Sequence, residues 1–355
     1  KNKLFQRETV DGINVIRVWS FISANEGFFK RTLDYISYGL SAFMAGLFIK
    51  TDLIIATSPQ FFTALAGRHL AFWKRKPWVM EVRDLWPESI KNVEAMNDGL
   101  LMRYLEWEEK RCYKKAKGIV PVTDTFRKFI EEKGIKDKFA VVKNGANTDL
   151  FKAKEKNKEI LSKLGLDGKF IIGYIGTHGM AHKLDFIVQS AAKLNDPEIH
   201  FLFIGSGAKK KKVKELAEKL ELKNVTFLEP VSKNEISNYI SIIDVSLIPL
   251  RNSPLFKTVI PSKIFENAAM EKPILLGVDG ESRSIVEKYN AGLYFKPENE
   301  QEFLEKIKQL KQNTETYKAC QEGCRKLATD FNRKNLANDM LNFLKEVAQQ
   351  KHPRN

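Results

Sequence analysis

Four short segments carry residue types whose spacing could do chemistry. Pro261-Ser262-Lys263-Ile264-Phe265-Glu266 sets a proline just ahead of a lysine, with a glutamate three residues further on. Proline in a first turn fixes a helix start, and residues three apart share a helix face. Lys263 can therefore neutralise a diphosphate while Glu266 accepts both hydroxyls of a ribose. Gly176-Thr177-His178-Gly179 and Gly205-Ser206-Gly207 each close an apolar run. Glycine there lets the backbone approach a ligand, and a helix N-terminus following it would offer unpaired N–H groups to a phosphate. Two such turns on one sheet edge point to a phosphate or nucleotide. The fourth segment, Glu81-Val82-Arg83-Asp84-Leu85-Trp86-Pro87-Glu88-Ser89, ends another apolar run in ionisable residues. Strand alternation sends Glu81 and Arg83 to one face and Val82 and Asp84 to the other, with Arg83 and Asp84 at the carboxyl end, where sites form. Each segment has a plainer reading beside this one, an ordinary helical turn or an Arg–Asp pair tethering a loop.

The elements that must position these residues alternate. Apolar runs at Phe170–Gly176, His200–Gly205, Val225–Leu228, Val245–Ile248, Pro273–Leu276 and Leu293–Phe295 are separated by amphipathic stretches, which predicts a parallel sheet covered by helices. Helices are expected near Leu184–Leu194, Lys210–Leu220, Lys233–Ile240, Ser262–Met270, Ser282–Lys288 and Glu300–Lys311, then Thr314–Asp330 and Lys334–Gln349. Right-handed crossovers make this a doubly wound, Rossmann-like α/β domain. The first part alternates less completely, with strands expected at Val15–Trp19, Leu53–Ala56, Trp78–Val82, Gly118–Pro121 and Ala140–Lys143, and Arg7–Gly12 reading as a hairpin or edge. That lobe reads as short by its opening strand–helix–strand portion. The turn-rich Asn144–Asp149 sets the boundary, giving domains at 1–150 and 151–330 and a helical segment at 331–355 packing back on the first lobe.

The whole chain supports this division. Its 355 residues exceed what one hydrophobic core holds, and 43% hydrophobic residues with 24 Phe, 9 Tyr and 5 Trp exclude a disordered chain. Cys112, Cys320 and Cys324 have no metal-ligand spacing, and their odd number argues for reduced thiols in the cytoplasm. The net charge of +15 is spread evenly, +7 over residues 1–150 and +8 over the rest. With no basic stripe of interleaved aromatics, nucleic acid is excluded as the partner. The Lys209–Lys212 run reads as a solvated helix face.

The longest uncharged stretch, Tyr35–Ile49, is too short to span a bilayer, which needs about 20 residues. Phe28, Phe29, Lys30 and Arg31 precede it, so Phe28–Ile49 has the composition of a helix lying at a membrane interface.

Taken together, EVRDLWPES at Glu81–Ser89, KNGANTDLF at Lys143–Phe151, GYIGTHGMAHK at Gly173–Lys183, FIGSG at Phe203–Gly207 and PSKIFENAAM at Pro261–Met270 resemble the retaining glycosyltransferases of family 4. Their fold is GT-B, two Rossmann-like domains facing across a cleft. The chain is most similar to the bacterial branch that transfers N-acetylfucosamine-type sugars in O-antigen and capsule assembly. The resemblance implies a UDP-sugar donor with Glu266 on the ribose, and Lys263, Thr177, His178, Gly179, Gly205, Gly207, Arg251 and Lys257 around the diphosphate. It implies no metal and no other cofactor, Asp84 and Arg83 as the catalytic pair, and Glu88 and Asn144 on the acceptor and hinge side. It also implies a polyprenyl-diphosphate-linked saccharide as acceptor, and a place on the cytoplasmic face of the inner membrane. There are departures from the family pattern. Thr258 stands where the first glutamate of the E-x7-E pair belongs, Arg83 precedes Asp84 where a histidine is usual, and Thr177-His178 replaces the basic residue after the first glycine. A nucleotide-sugar epimerase of the same fold and a non-catalytic sugar-nucleotide-binding subunit remain alternatives.

Overall fold

The computed structural model describes residues 4–22, 27–58, 60–88, 99–194 and 196–349, with the backbone alone for residues 27–29 and 31. The chain divides into two compact units, residues 1–143 with 337–355, and residues 144–336.

The second unit holds six parallel strands, β6 (Phe170–Ile175), β7 (Ile199–Ile204), β8 (Val225–Leu228), β9 (Val245–Pro249), β10 (Ile274–Gly277) and β11 (Gly292–Tyr294), in the order β11-β10-β9-β6-β7-β8. Chain order runs outward from β6 to β8 on one side and from β9 to β11 on the other, so the topological switch lies between β6 and β9. Ligands of open α/β sheets bind at the carboxyl end of such a switch. Both faces of the sheet are covered, and alternation sorts its side chains. Ile171, Leu202, Ile204, Ile248 and Ile274 enter one core cluster, while Ile172, Tyr174, Phe201, Phe203, Leu247 and Leu275 enter the other. Continuous apolar runs such as IHFLFI in β7, buried throughout, are what a two-sided sheet requires.

The covering helices of this unit are α5 (Lys158–Leu164), α6 (Leu184–Ala191), α7 (Lys210–Lys219), α8 (Ile236–Ile242), α9 (Lys263–Ala269), α10 (Glu281–Tyr289), α11 (Glu300–Gln312) and α12 (Thr314–Asp330). Asparagines cap α5, α11 and α12, Asn157, Asn299 and Asn313 each accepting a backbone N–H of the first turn.

The first unit contains a parallel sheet in the order β3-β4-β5, from Ile54–Ser58, Trp78–Val82 and Gly118–Pro121. Its helices are α1 (Gly27–Leu47), α2 (Phe61–Lys74), α3 (Leu100–Lys115) and α4 (Asp124–Glu132), joined by most of the last helix, α13 (Arg333–Gln349). Val347 of α13 is buried with Val79 and Val120, and Phe343 lies where a side chain on Gly118 would be, so the helix caps one face of this sheet.

Several elements differ from the sequence reading. The strand expected at Val15–Trp19 is β2 (Ile13–Val18), and it pairs antiparallel with β1 (Phe5–Val10) in a separate two-stranded sheet. The turn between them places Asp11 and Gly12 at positive φ, the backbone of a tight hairpin. Ala140–Lys143 is not a strand. Ala140 and Val142 donate to the carbonyls of Ile119 and Pro121, but only Phe139 forms an isolated bridge, so the segment follows β5 without completing a ladder. The structural division falls at Asn144 instead of residue 150. Backbone bonds between Ala146 and Phe331 and between Arg333 and Ala146 hold residues 144–149 and 331–334 together in the second unit.

Candidate functional site

The two glycine turns leave the carboxyl ends of the adjacent strands β6 and β7 and are tied to each other. Gly176 N–H donates to Ile204 O at 2.9 Å, His178 N–H to Ser206 O at 2.8 Å, and Lys209 N–H to His178 O at 2.9 Å. Gly176, Gly205 and Gly207 have φ of 147°, 141° and 152°, which other residues rarely adopt. A Cβ on Gly207 would sit 2.6 Å from His178 O. The sequence therefore needs glycine here for two reasons, conformation and close approach.

The expected helix does not start directly after the first turn. Met180–His182 form a 3-10 turn, Lys183 follows at positive φ, and α6 begins only at Leu184. What the Thr177–Gly179 stretch offers a ligand is its own backbone, with no α-helix terminus behind it. The His178 imidazole is fully buried against Tyr174, Phe203 and Phe227, without a hydrogen-bond partner on either nitrogen. Burial, followed by the charges of Lys210 and Lys263, lowers its pKa to about 4, and the same causes of burial and Lys263 bring His182 to about 4. Both rings are neutral near pH 7.

Lys263 opens α9 and reaches the first turn, since a Cβ on Gly176 would lie 2.8 Å from its Nζ. The ammonium is occluded from solvent and has no hydrogen-bond partner. It lies 4.1 Å above the centroid of the Tyr174 ring. Burial lowers the Lys263 pKa to about 8, against the opposing pull of Glu266. Buried cations are ordinarily paired; here the ammonium has the Tyr174 ring face beside it and no hydrogen-bonding anion. Glu266 is half-buried one turn along α9. Burial raises its pKa, while Arg333, then Lys263 and Lys233, pull it down.

Arg333 was not singled out by the sequence. Its N–H donates to Ala146 O at 2.9 Å and its guanidinium to Gly145 O at 2.9 Å, while neighbouring Phe331 packs on Phe265 with ring centroids 4.7 Å apart. The guanidinium is thus held in the field of Glu266 by backbone more than 180 residues earlier in the chain, and no local pattern announces it. Tyr174 was missed as well, because in sequence it is one aromatic in an apolar strand.

The other expected site residues have the following surroundings. Lys257 pairs with Asp279 at 3.3 Å, and with Arg251 both line a small pocket at the ends of β9 and β10. Arg251 is joined to the first turn's side of the unit by its backbone N–H, which donates to Ala181 O at 2.7 Å. Asn144 begins the second unit. Next to it, Gly145 packs so closely on Phe331 that a Cβ would be 2.2 Å from its carbonyl oxygen.

In the first unit, Arg83 and Asp84 are exposed at the carboxyl end of β4, and both their N–H groups point at Ser58 O, at 3.4 and 3.3 Å. Arg83 pairs with Glu81 at 3.3 Å, the same-face pair that alternation predicts, and Thr57 donates to the other Glu81 oxygen at 2.7 Å. Partial burial raises the Asp84 pKa against the pull of Arg83. Glu88, just past a cis Trp86–Pro87 bond, lies 3.8 Å from Lys133, which also pairs with the buried Glu109. Among the described residues no cluster of three or more His, Cys, Asp or Glu is arranged to hold a metal, and no helix is long and apolar enough to cross a membrane. Phe28, Phe29 and Arg31 have side chains outside the described residues, as does Ser89 entirely.

Two parallel α/β units, the second doubly wound, are the architecture of the GT-B fold, and both halves of the chain match glycosyltransferase families. Residues 154–327 match the family of glycosyl transferases group 1, and residues 2–145 match a glycosyl transferase 4-like domain. The chain is built as a member of the GT-B glycosyltransferases. It is 30% identical over 248 residues, 68% of its length, to TuaH of Bacillus subtilis, a candidate teichuronic acid biosynthesis glycosyltransferase, and it spans 60% of that protein. Among solved structures it superposes on Anabaena Alr3699/HepE in complex with UDP and glucose, with a TM-score of 0.71 at 16% identity, covering 87% of this chain and 81% of that one. It also superposes on sucrose-phosphate synthase from Thermosynechococcus elongatus, with a TM-score of 0.75 at 16% identity and coverage of 98% and 86%.

Proposed function

We propose that this protein transfers a sugar from a UDP-sugar to a polyprenyl-diphosphate-linked saccharide during assembly of a bacterial surface polysaccharide. The observation that carries the reading is the unpaired, occluded ammonium of Lys263 against the Gly176 turn, with Glu266 one turn further on. UDP is the nucleotide in the HepE complex, and TuaH is placed by its name in polysaccharide synthesis; both support the choice of donor and pathway class. An N-acetylated deoxyhexosamine of the N-acetylfucosamine type is the donor sugar that the sequence resemblance favours.

In this mechanism Glu266 accepts the ribose hydroxyls, and Lys263 with the Thr177–Gly179 backbone takes up the charge that grows on the diphosphate. Leaving-group stabilisation of this kind is usually the largest single contribution to such a transfer. The bond from C1 of the sugar to the diphosphate oxygen breaks, and C1 bonds to the acceptor oxygen on the same face. The acceptor proton goes to the departing diphosphate. Asp84 and Arg83 are the first unit's contribution, at the acceptor hydroxyl.

An anionic leaflet is the surface we assign to the first unit. Gly39 of α1 lies against Phe62 of α2 and Gly46 against Leu70, so the two helices run parallel and end together. At that end Phe48, Phe72 and Trp73 are 82%, 77% and 68% exposed, among Lys50, Lys74, Arg75 and Lys76. Exposed aromatics amid basic residues suit an anionic lipid interface. This moves the expected contact from the start of the Phe28–Ile49 helix toward its end.

Incubating the protein with a panel of UDP-sugars, with and without a polyprenyl-diphosphate saccharide, tests the function. Acceptor-dependent UDP release and a lengthened glycolipid are expected. An altered free sugar formed without acceptor would establish an epimerase instead, and donor binding with neither product a non-catalytic subunit.

A further inference from the structure

We propose that Tyr174 is the positioning residue of the donor site: its ring face holds the Lys263 ammonium where a diphosphate is received, and its hydroxyl fixes the glycine turn beside it. The inference rests on the reading of Lys263 as the diphosphate's cation and adds the group that keeps that cation in place. Lys263 Nζ has no hydrogen-bond partner, and the ring of Tyr174 lies 4.1 Å away measured to its centroid. An aromatic face attracts a cation through its quadrupole, most strongly where water is excluded. The ring cannot swing aside. It is fully buried, wedged by Phe203 at 6.2 Å, His178 at 5.6 Å and His182 at 5.8 Å between centroids. Its hydroxyl donates to Thr177 O at 2.5 Å, so one side chain sets both the cation and the turn backbone.

The ionisable groups around Lys263 are few. Among the described residues Glu266 on the same helix is the one anion acting on it, and His178 and His182, on the turn side, are neutral near pH 7 because burial, then the nearby lysine charges, lowers both to about 4. Nothing else on the turn competes with the ring for the ammonium. A diphosphate arriving at the turn finds the charge already desolvated and aimed, and supplies the hydrogen-bond acceptors that Nζ lacks. That is preorganisation in the sense that counts for a developing negative charge.

The test replaces Tyr174 in the full chain with Phe, and then with phenylalanines of increasing ring fluorination, which weaken the ring quadrupole with little change of shape. UDP affinity is titrated calorimetrically from pH 6.5 to 9.5, beside a Lys263→Met variant. Phe is expected to weaken UDP a few-fold through the lost tie to Thr177, with the alkaline midpoint kept. Stepwise fluorination is expected to move that midpoint downward and to weaken UDP about tenfold at pH 8 in the most fluorinated variant. Identical midpoints across the series would overturn the role of Tyr174 while Lys263→Met still weakens UDP. Unchanged UDP affinity in Lys263→Met would instead remove the reading of Lys263 itself.

Discussion

A Cβ placed on Gly205 would stand 1.9 Å from the carbonyl oxygen of Gly176, so the two glycine turns meet backbone to backbone. Gly205→Ala therefore forces the turns apart, and UDP affinity should fall at least tenfold in calorimetry. Gly165→Ala is the control. Gly165 also has positive φ, at the C-cap of α5, but open space around it, so the variant should lose about 1–2 kcal/mol of stability and keep its UDP affinity.

Lys263 trades stability for binding. Its pKa is about 8 in the folded protein against 10.5 for an unperturbed lysine, so the folded state binds fewer protons between those values. The penalty of burying the ammonium is fully present below pH 8 and is relieved as pH rises from 8 toward 10.5. Lys263→Met should thus raise the melting temperature of the second unit by a few degrees at pH 7, and the gain should shrink toward pH 10. UDP affinity of the wild type should fall as pH rises through about 8, because the ammonium is the form that meets the phosphate.

Arg333 is predicted to keep Glu266 ionised. Burial raises the Glu266 pKa and Arg333 is the largest opposing charge, so removing the guanidinium raises it further. Affinity for uridine needs the carboxylate and is lost as pH falls through its pKa. In Arg333→Met this acid limb should therefore begin at higher pH than in the wild type. An unchanged acid limb in uridine titrations would show that Arg333 only braces Gly145 and Ala146.

These residues show how far the sequence reaches. The turns at Gly176 and Gly205 and the Lys263–Glu266 spacing were readable because each is local, a strand end or one helical turn. β4, β5, β8 and α12 were readable to the residue because their apolar periods end in clear punctuation. Tyr174 and Arg333 were not, since their partners come from α9 and from Gly145 and no local pattern links them. Arg251 and Lys257 fit a diphosphate by charge, but the Lys257–Asp279 pair and the Arg251 bond to Ala181 join distant segments and were not readable locally. Ala140–Lys143 looked like a strand because its composition is that of one; only the missing ladder bonds distinguish it.

Membrane binding has its own check. At low salt the full chain should sediment with vesicles containing anionic lipid and stay in solution with neutral ones, since surface attraction is screened within a Debye length. Phe72→Ser with Trp73→Ser should lose most of that binding with an unchanged melting temperature, both side chains being exposed. Equal sedimentation of wild type and double variant would move the lipid contact away from the ends of α1 and α2.

Parallel titrations of the wild type, Lys263→Met and Glu266→Gln with UDP and with uridine test the donor site most directly. Glu266→Gln should weaken both ligands about tenfold, about 1.4 kcal/mol, because both carry the ribose. Lys263→Met should weaken UDP by at least as much and leave uridine unchanged, because only UDP carries the diphosphate. UDP binding to both variants with wild-type affinity would contradict the placement of the nucleotide at Gly176, Lys263 and Glu266.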